Sequence, residues 1–80
     1  MKTVRIKLNT INDVNKFVNI TNEYYHDIDA ICGRYIVDAK SILGILSFGI
    51  PKTIDVTIHT DNKQLADTFI EDLSLWEVIE

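Results

Sequence analysis

The chain has 80 residues, 46% hydrophobic and 25% charged, with a formal net charge of −4. That length allows one small domain over residues 1–80, and that balance excludes a disordered chain. The acidic excess, with Glu71, Asp72, Glu77 and Glu80 gathered near the C-terminus, repels a phosphate backbone and argues against nucleic acid as a partner.

Val4, Ile6 and Leu8 alternate with Thr3, Arg5 and Lys7, the period of a strand with one buried face. From Thr10 the period changes. Ile11, Val14, Phe17, Val18, Thr21 and Tyr25 recur every three or four residues, while Asn12, Asn15, Asn19 and Asn22 take the other side, which predicts an amphipathic helix. Ile28, Ala30 and Cys32 alternate again up to Gly33-Arg34, and the β-rich Tyr35 to Asp38 follows, so these segments predict a hairpin. Cys32 is the one cysteine, which excludes an internal disulfide, and its place in the alternation reads as a core thiol. Ser41 suits the cap of a short helix from Ile42 to Phe48, ended by Gly49 and Pro51. Thr53 to His59 sets Ile54, Val56 and Ile58 against Asp55, Thr57 and His59 as a fourth strand. Asp61, three residues before Gln64, predicts the cap of a last helix with Leu65, Phe69, Leu73 and Trp76 on its apolar face. The apolar run within Ile42 to Ile50 is far too short for a membrane span, and no basic segment precedes an apolar one at the N-terminus, so a cytoplasmic protein is expected.

Strands and helices in this order predict an α+β fold. Four short strands cannot close, so a mostly antiparallel sheet should carry three helices on one face and leave the other wet.

One run is more specific. Val37-Asp38-Ala39-Lys40-Ser41-Ile42-Leu43-Gly44-Ile45-Leu46-Ser47-Phe48-Gly49 resembles the Lys-Ser-Ile-hydrophobic-Gly segment of HPr, the phosphocarrier family of the bacterial sugar phosphotransferase system. Lys2-Thr3-Val4-Arg5-Ile6 adds a weaker similarity, and the element order agrees over the whole chain. The resemblance implies the HPr-like open-faced β-sandwich, βαββαβα. It also implies where phosphate would be carried. The family's Gly-Ile-His-Ala-Arg-Pro segment, aligned through the first strands, sets Asp13 at the histidine, Asn15 at the arginine and Lys16 at the proline. No histidine lies between Met1 and Tyr25. Reversible phosphoryl relay uses a neutral imidazole as nucleophile, which neither Asp13 nor Asn15 supplies.

Asp13 admits three readings. Thr10-Ile11-Asn12-Asp13 is a capping-box-like helix start, with the carboxylate favoured by the positive end of the helix. Alternatively the fixed charge imitates part of a phosphorylated histidine. In the third reading Asp13 becomes an acyl phosphate, which would want a metal held by further carboxylates; none clusters nearby in sequence.

Ser41 corresponds to the serine that a dedicated kinase phosphorylates in HPr of many Gram-positive bacteria, beside its plainer reading as a helix cap. Ile42, Leu43 and Leu46 align with the apolar surface through which HPr meets its partners, with Ile45 and Phe48 expected to point inward; the alternative puts all five in the core. With Lys40, Asp13, Asn15 and Lys16 they complete the partner-facing candidates. His26 and His59 lie far apart and read as surface residues, since a metal would need Asp27, Asp29 or Cys32 to converge on them. No metal or cofactor is expected. The chain has no Ser-His-Asp order, Gly-rich phosphate loop or Cys-x-x-Cys pair, so no enzyme is expected. The resemblance thus implies a bacterial regulatory or protein-binding module acting through the Ser41 helix and the start of the first helix, similar to HPr paralogues without the histidine, which serve regulation rather than sugar uptake. Its partners would be an HPr kinase, phosphotransferase-system proteins or transcription-regulating proteins. The alternatives are a phosphocarrier with another acceptor, and a structural or homodimeric module.

Overall fold

Alternation along the first residues becomes strand β1 (Lys2–Leu8), with Val4, Ile6 and Leu8 buried. Helix α1 (Ile11–Asn22) follows, then the hairpin of β2 (Ile28–Cys32) and β3 (Tyr35–Asp38). The chain continues as helix α2 (Ile42–Leu46), strand β4 (Lys52–Ile58), helix α3 (Lys63–Asp72) and a 3₁₀ turn at Ser74–Trp76. This computed structural model describes residues 1–79. None of its helices is long and apolar enough to cross a membrane.

The four strands form one sheet in the order β1-β4-β2-β3, and every pairing is antiparallel. Register sets Ile6 opposite Ile54, and Val4 and Ala30 on either side of Val56, so the buried apolar residues of the three longer strands share one face. Against that face pack Val14 and Phe17 of α1, Ile45 of α2, and Ala66 and Phe69 of α3. Leu73 and Trp76 close the core from the C-terminal side, with Trp76 edge-on to Phe17 at 6.3 Å and 76°. The α+β open-faced fold of the sequence reading is therefore the observed one.

Hairpin geometry explains Gly33. It stands first in a two-residue turn with φ of 62°, the left-handed value a type II′ hairpin uses there at no cost to glycine.

Several element ends differ from expectation. Helix α1 stops at Asn22, so Tyr25 falls beyond it, 90% exposed and stacked on the His26 ring rather than on the apolar stripe. Ile11, at the first helical position, is 61% exposed, because the core-facing side begins with Val14. Helix α2 ends at Leu46, short of Phe48, with Ser47 as its last cap. The cap of α3 is Asn62, whose Oδ1 accepts from Leu65 N–H at 3.0 Å; Asp61 plays no part in it. Trp76 lies outside α3, and Leu73 is the residue after its last turn. Thr57, expected on the wet phase, is buried through its contact with Thr3, hydroxyl to hydroxyl at 2.7 Å. Cys32 is half-buried at the rim of the core instead of inside it.

Candidate functional site

Thr10 takes an extended backbone before α1, and its hydroxyl accepts from Asp13 N–H at 3.0 Å. In return the Asp13 carboxylate accepts from Thr10 N–H at 3.2 Å and Asn9 N–H at 3.0 Å, closing a capping box. The Asn9 N–H is the main reason that the Asp13 carboxyl is held below its ordinary value. Buried Trp76 Nε1–H makes no hydrogen bond of ordinary geometry, yet lies near enough to the same carboxylate to favour its charged form. The Asp13 carboxylate thus sits just ahead of the N-terminus of α1, held by the two backbone N–H groups that precede the helix. Asn15 and Lys16 are exposed and stand outside this network, and residues 9–16 contain no histidine.

The second candidate segment is anchored from α1's other end. Thr21, fully buried, donates its hydroxyl to Ala39 O at 2.9 Å, and Asn22 Nδ2 donates to Lys40 O at 3.1 Å. Lys40 N–H donates to the Asp38 carboxylate at 2.9 Å and Ser41 N–H to Asp38 O at 3.0 Å, turning the chain into α2. Ser41 Oγ accepts from Gly44 N–H at 3.1 Å, so it caps α2 while remaining half-buried. Gly44 is there for close approach: a Cβ on it would stand 3.3 Å from Val37 Cβ, which lets α2 lie against β3.

Side chains on α2 follow the outward reading at Ile42, Leu43 and Ile45 but not at Leu46, which that reading set outward and which packs against the core. Ile42 and Leu43 are 38% and 77% exposed, Ile45 is buried, and Leu46 and Phe48 are half-buried against the core. The reading that put all five in the core fails at Ile42 and Leu43.

Asp13 and Ser41 are not brought together. Ser41 is tied to the last turn of α1, and eight residues separate Thr21 from Asp13, about 12 Å of helical rise. His59, beyond β4, bonds Asp29 at 2.7 Å, while His26 stacks on Tyr25; neither approaches the α1 start. Trp76 is the member of the Asp13 site that the sequence concealed, since its spacing from Leu73 looked like one more turn of α3.

Chemically, the α1 start is a cup of N–H donors holding a carboxylate, and the α2 start offers a capping hydroxyl beside a lysine and two exposed aliphatic side chains. Residues 12–75 match the family model described as the PTS HPr component phosphorylation site. Among solved structures, HPr-C-His from Thermoanaerobacter tengcongensis superposes with a TM-score of 0.73 at 25% identity, over 91% of this chain and 90% of that one. Phosphocarrier protein HPr from Bacillus anthracis str. Ames gives 0.70 at 28% identity, over 96% and 94%. A search of curated proteins found no match.

Proposed function

The chain belongs to the HPr family of the phosphotransferase system, and from that premise we propose that it carries no phosphate on histidine and serves as a regulatory, protein-binding member of the family. The observation that supports this reading is Asp13. Its carboxylate, held by Asn9 and Thr10 N–H just ahead of α1, sets a fixed negative charge beside the helix start where a phosphoryl group would otherwise be received. A second anion there would meet charge repulsion. No imidazole stands near to act as the nucleophile. The carboxylate supplies one negative charge in place of a phosphoryl group's two, so it imitates that state only in part.

Docking is assigned to α2. Ile42 and Leu43 form the apolar contact with half-buried Leu46 at its margin, Lys40 adds a charge beside it, and Ser41 is the position where phosphorylation would change what docks. Asn15 and Lys16, exposed near the start of α1 beside Asp13, are a second candidate contact. The partners are other proteins of the bacterial cytoplasm: an HPr kinase, phosphotransferase-system proteins or transcription-regulating proteins. No cofactor or metal is called for.

Two incubations test the proposal. With phosphoenolpyruvate and enzyme I, the intact mass should stay unchanged while genuine HPr gains a phosphoryl group; a gain here would overturn the loss of carrier function. With ATP and an HPr kinase, the wild type should gain one phosphoryl group and Ser41→Ala none. An unmodified wild type, beside HPr modified in the same tube, would remove Ser41 from the regulatory reading.

A further inference from the structure

The helix layer stops short of the hairpin tip. Between that tip and the loop after α2 lies a groove of about 710 Å³, within the size range of ligand sites. Cys32, Tyr35, Val37 and Phe48 give it apolar walls, and Arg34 and Lys52 lie on its lining. Tyr35 is 68% exposed. No carboxylate lines the groove, although acidic residues outnumber basic ones by 12 to 8 in the chain. Lys2 and Arg5 are paired with Asp67 and Asp55, whereas Arg34 and Lys52 have no ion-pair partner among the described residues.

The groove borders an open sheet edge. On the opposite side, the edge of β1 is met by the C-terminal segment, through an Ile6 to Glu77 bridge and a 2.9 Å bond from Val78 N–H to Arg5 O. At the other margin β3 pairs only with β2, so its outer edge offers backbone groups to an incoming strand.

We infer that this groove and edge together form a docking site for an extended segment of a partner protein, one that carries paired carboxylates beside a bulky apolar residue. The segment adds to β3 through its main chain. Its apolar side chain enters between Tyr35, Val37 and Phe48, and its carboxylates meet Arg34 and Lys52. Asp27, Asp29 and Asp38 gather at the far end of the hairpin, which places the acidic residues of the segment at the turn end. This surface is separate from α2 and stands independently of the regulatory reading.

The test is an NMR titration of the full chain with the blocked peptide Glu-Glu-Val-Phe-Val-Thr and with its counterpart bearing Lys-Lys in place of Glu-Glu. The acidic peptide should give saturable shifts confined to residues 33–37 and 47–52 and slow hydrogen exchange at the Ile36 amide. The basic peptide should give none. Arg34→Glu combined with Lys52→Glu should weaken binding about tenfold, as two attractions turn to repulsions. Because Arg34 occupies the hairpin turn, Lys52→Glu alone and Tyr35→Ala serve if the double variant unfolds, and each should weaken binding. Absence of saturable shifts, shifts centred on residues 13–16 or 41–46, or equal affinity after charge reversal would each overturn the inference.

Discussion

Asp13 is ionised more readily in the fold than in the unfolded chain, because the Asn9 N–H, with help from Trp76 and Thr10, stabilises the charged form. A depressed carboxyl contributes stability that is complete above its ordinary value of 3.8 and disappears as the pH falls through the lower folded value. Asp67, lowered by Lys2, acts in the same window and direction. The comparison that isolates Asp13 is therefore wild type against Asp13→Asn. The difference between their urea midpoints should shrink from about pH 5 to about pH 2; parallel curves would show that the charge does nothing for the fold. Trp76, the single tryptophan, offers an independent readout. Its emission should follow a titration with a midpoint below 3.8 that is absent from Asp13→Asn.

Helix ends are where element and residue meet. Asn62 satisfies Leu65 N–H at the start of α3, so Asn62→Ala should cost about 1 kcal/mol in urea unfolding. Asp61→Ala, next to it, should change stability by less than about 0.5 kcal/mol, and a larger loss there would move the cap back by one residue. At the start of α1, Thr10→Ala removes the hydroxyl that accepts from Asp13 N–H, again for about 1 kcal/mol. Farther along, Tyr24 joins α1's end to α3, donating to the Asp72 carboxylate at 2.6 Å while its ring meets Phe69 edge-on at 5.0 Å. Burial, reinforced by Asp72, pushes its hydroxyl well above the usual tyrosine value.

At the scale of the whole molecule, stability is unevenly distributed across the sheet. Strand β4 is paired on both sides and carries Ile54, Val56 and Ile58 into the core, whereas β3 is a four-residue edge that contributes little to it. Native-state hydrogen exchange should find the β4 amides slowest and those of Ile36 and its neighbours in β3 among the fastest of the sheet. Equal protection of β3 and β4 would mean that the edge opens only with global unfolding. Phe17, packed between the sheet and Trp76, is the single side chain whose truncation should do most harm. Phe17→Ala is expected to cost about 3 to 5 kcal/mol and to loosen the C-terminal turn from α1.

Alternation and helical spacing are local, which is why Val4, Ile6 and Leu8, or Val14, Phe17 and Thr21, could be assigned a buried face before any contact was known. The absence of histidine from the α1 start and the Lys40-Ser41 motif at α2 are equally plain in the sequence. Local spacing could not say where a helix stops, since Tyr25 and Trp76 both continue a stripe that the chain has already left. Cap hydrogen bonds decide that, and adjacent residues such as Asp61 and Asn62 compete for the role almost equally. Strand order, the approach of Trp76 to Asp13 and the meeting of Arg34 with Lys52 at one groove join residues far apart in sequence. Only packing of the sheet and helices around one core brings such residues together, so these features belong to the tertiary structure and leave no periodic trace in the chain.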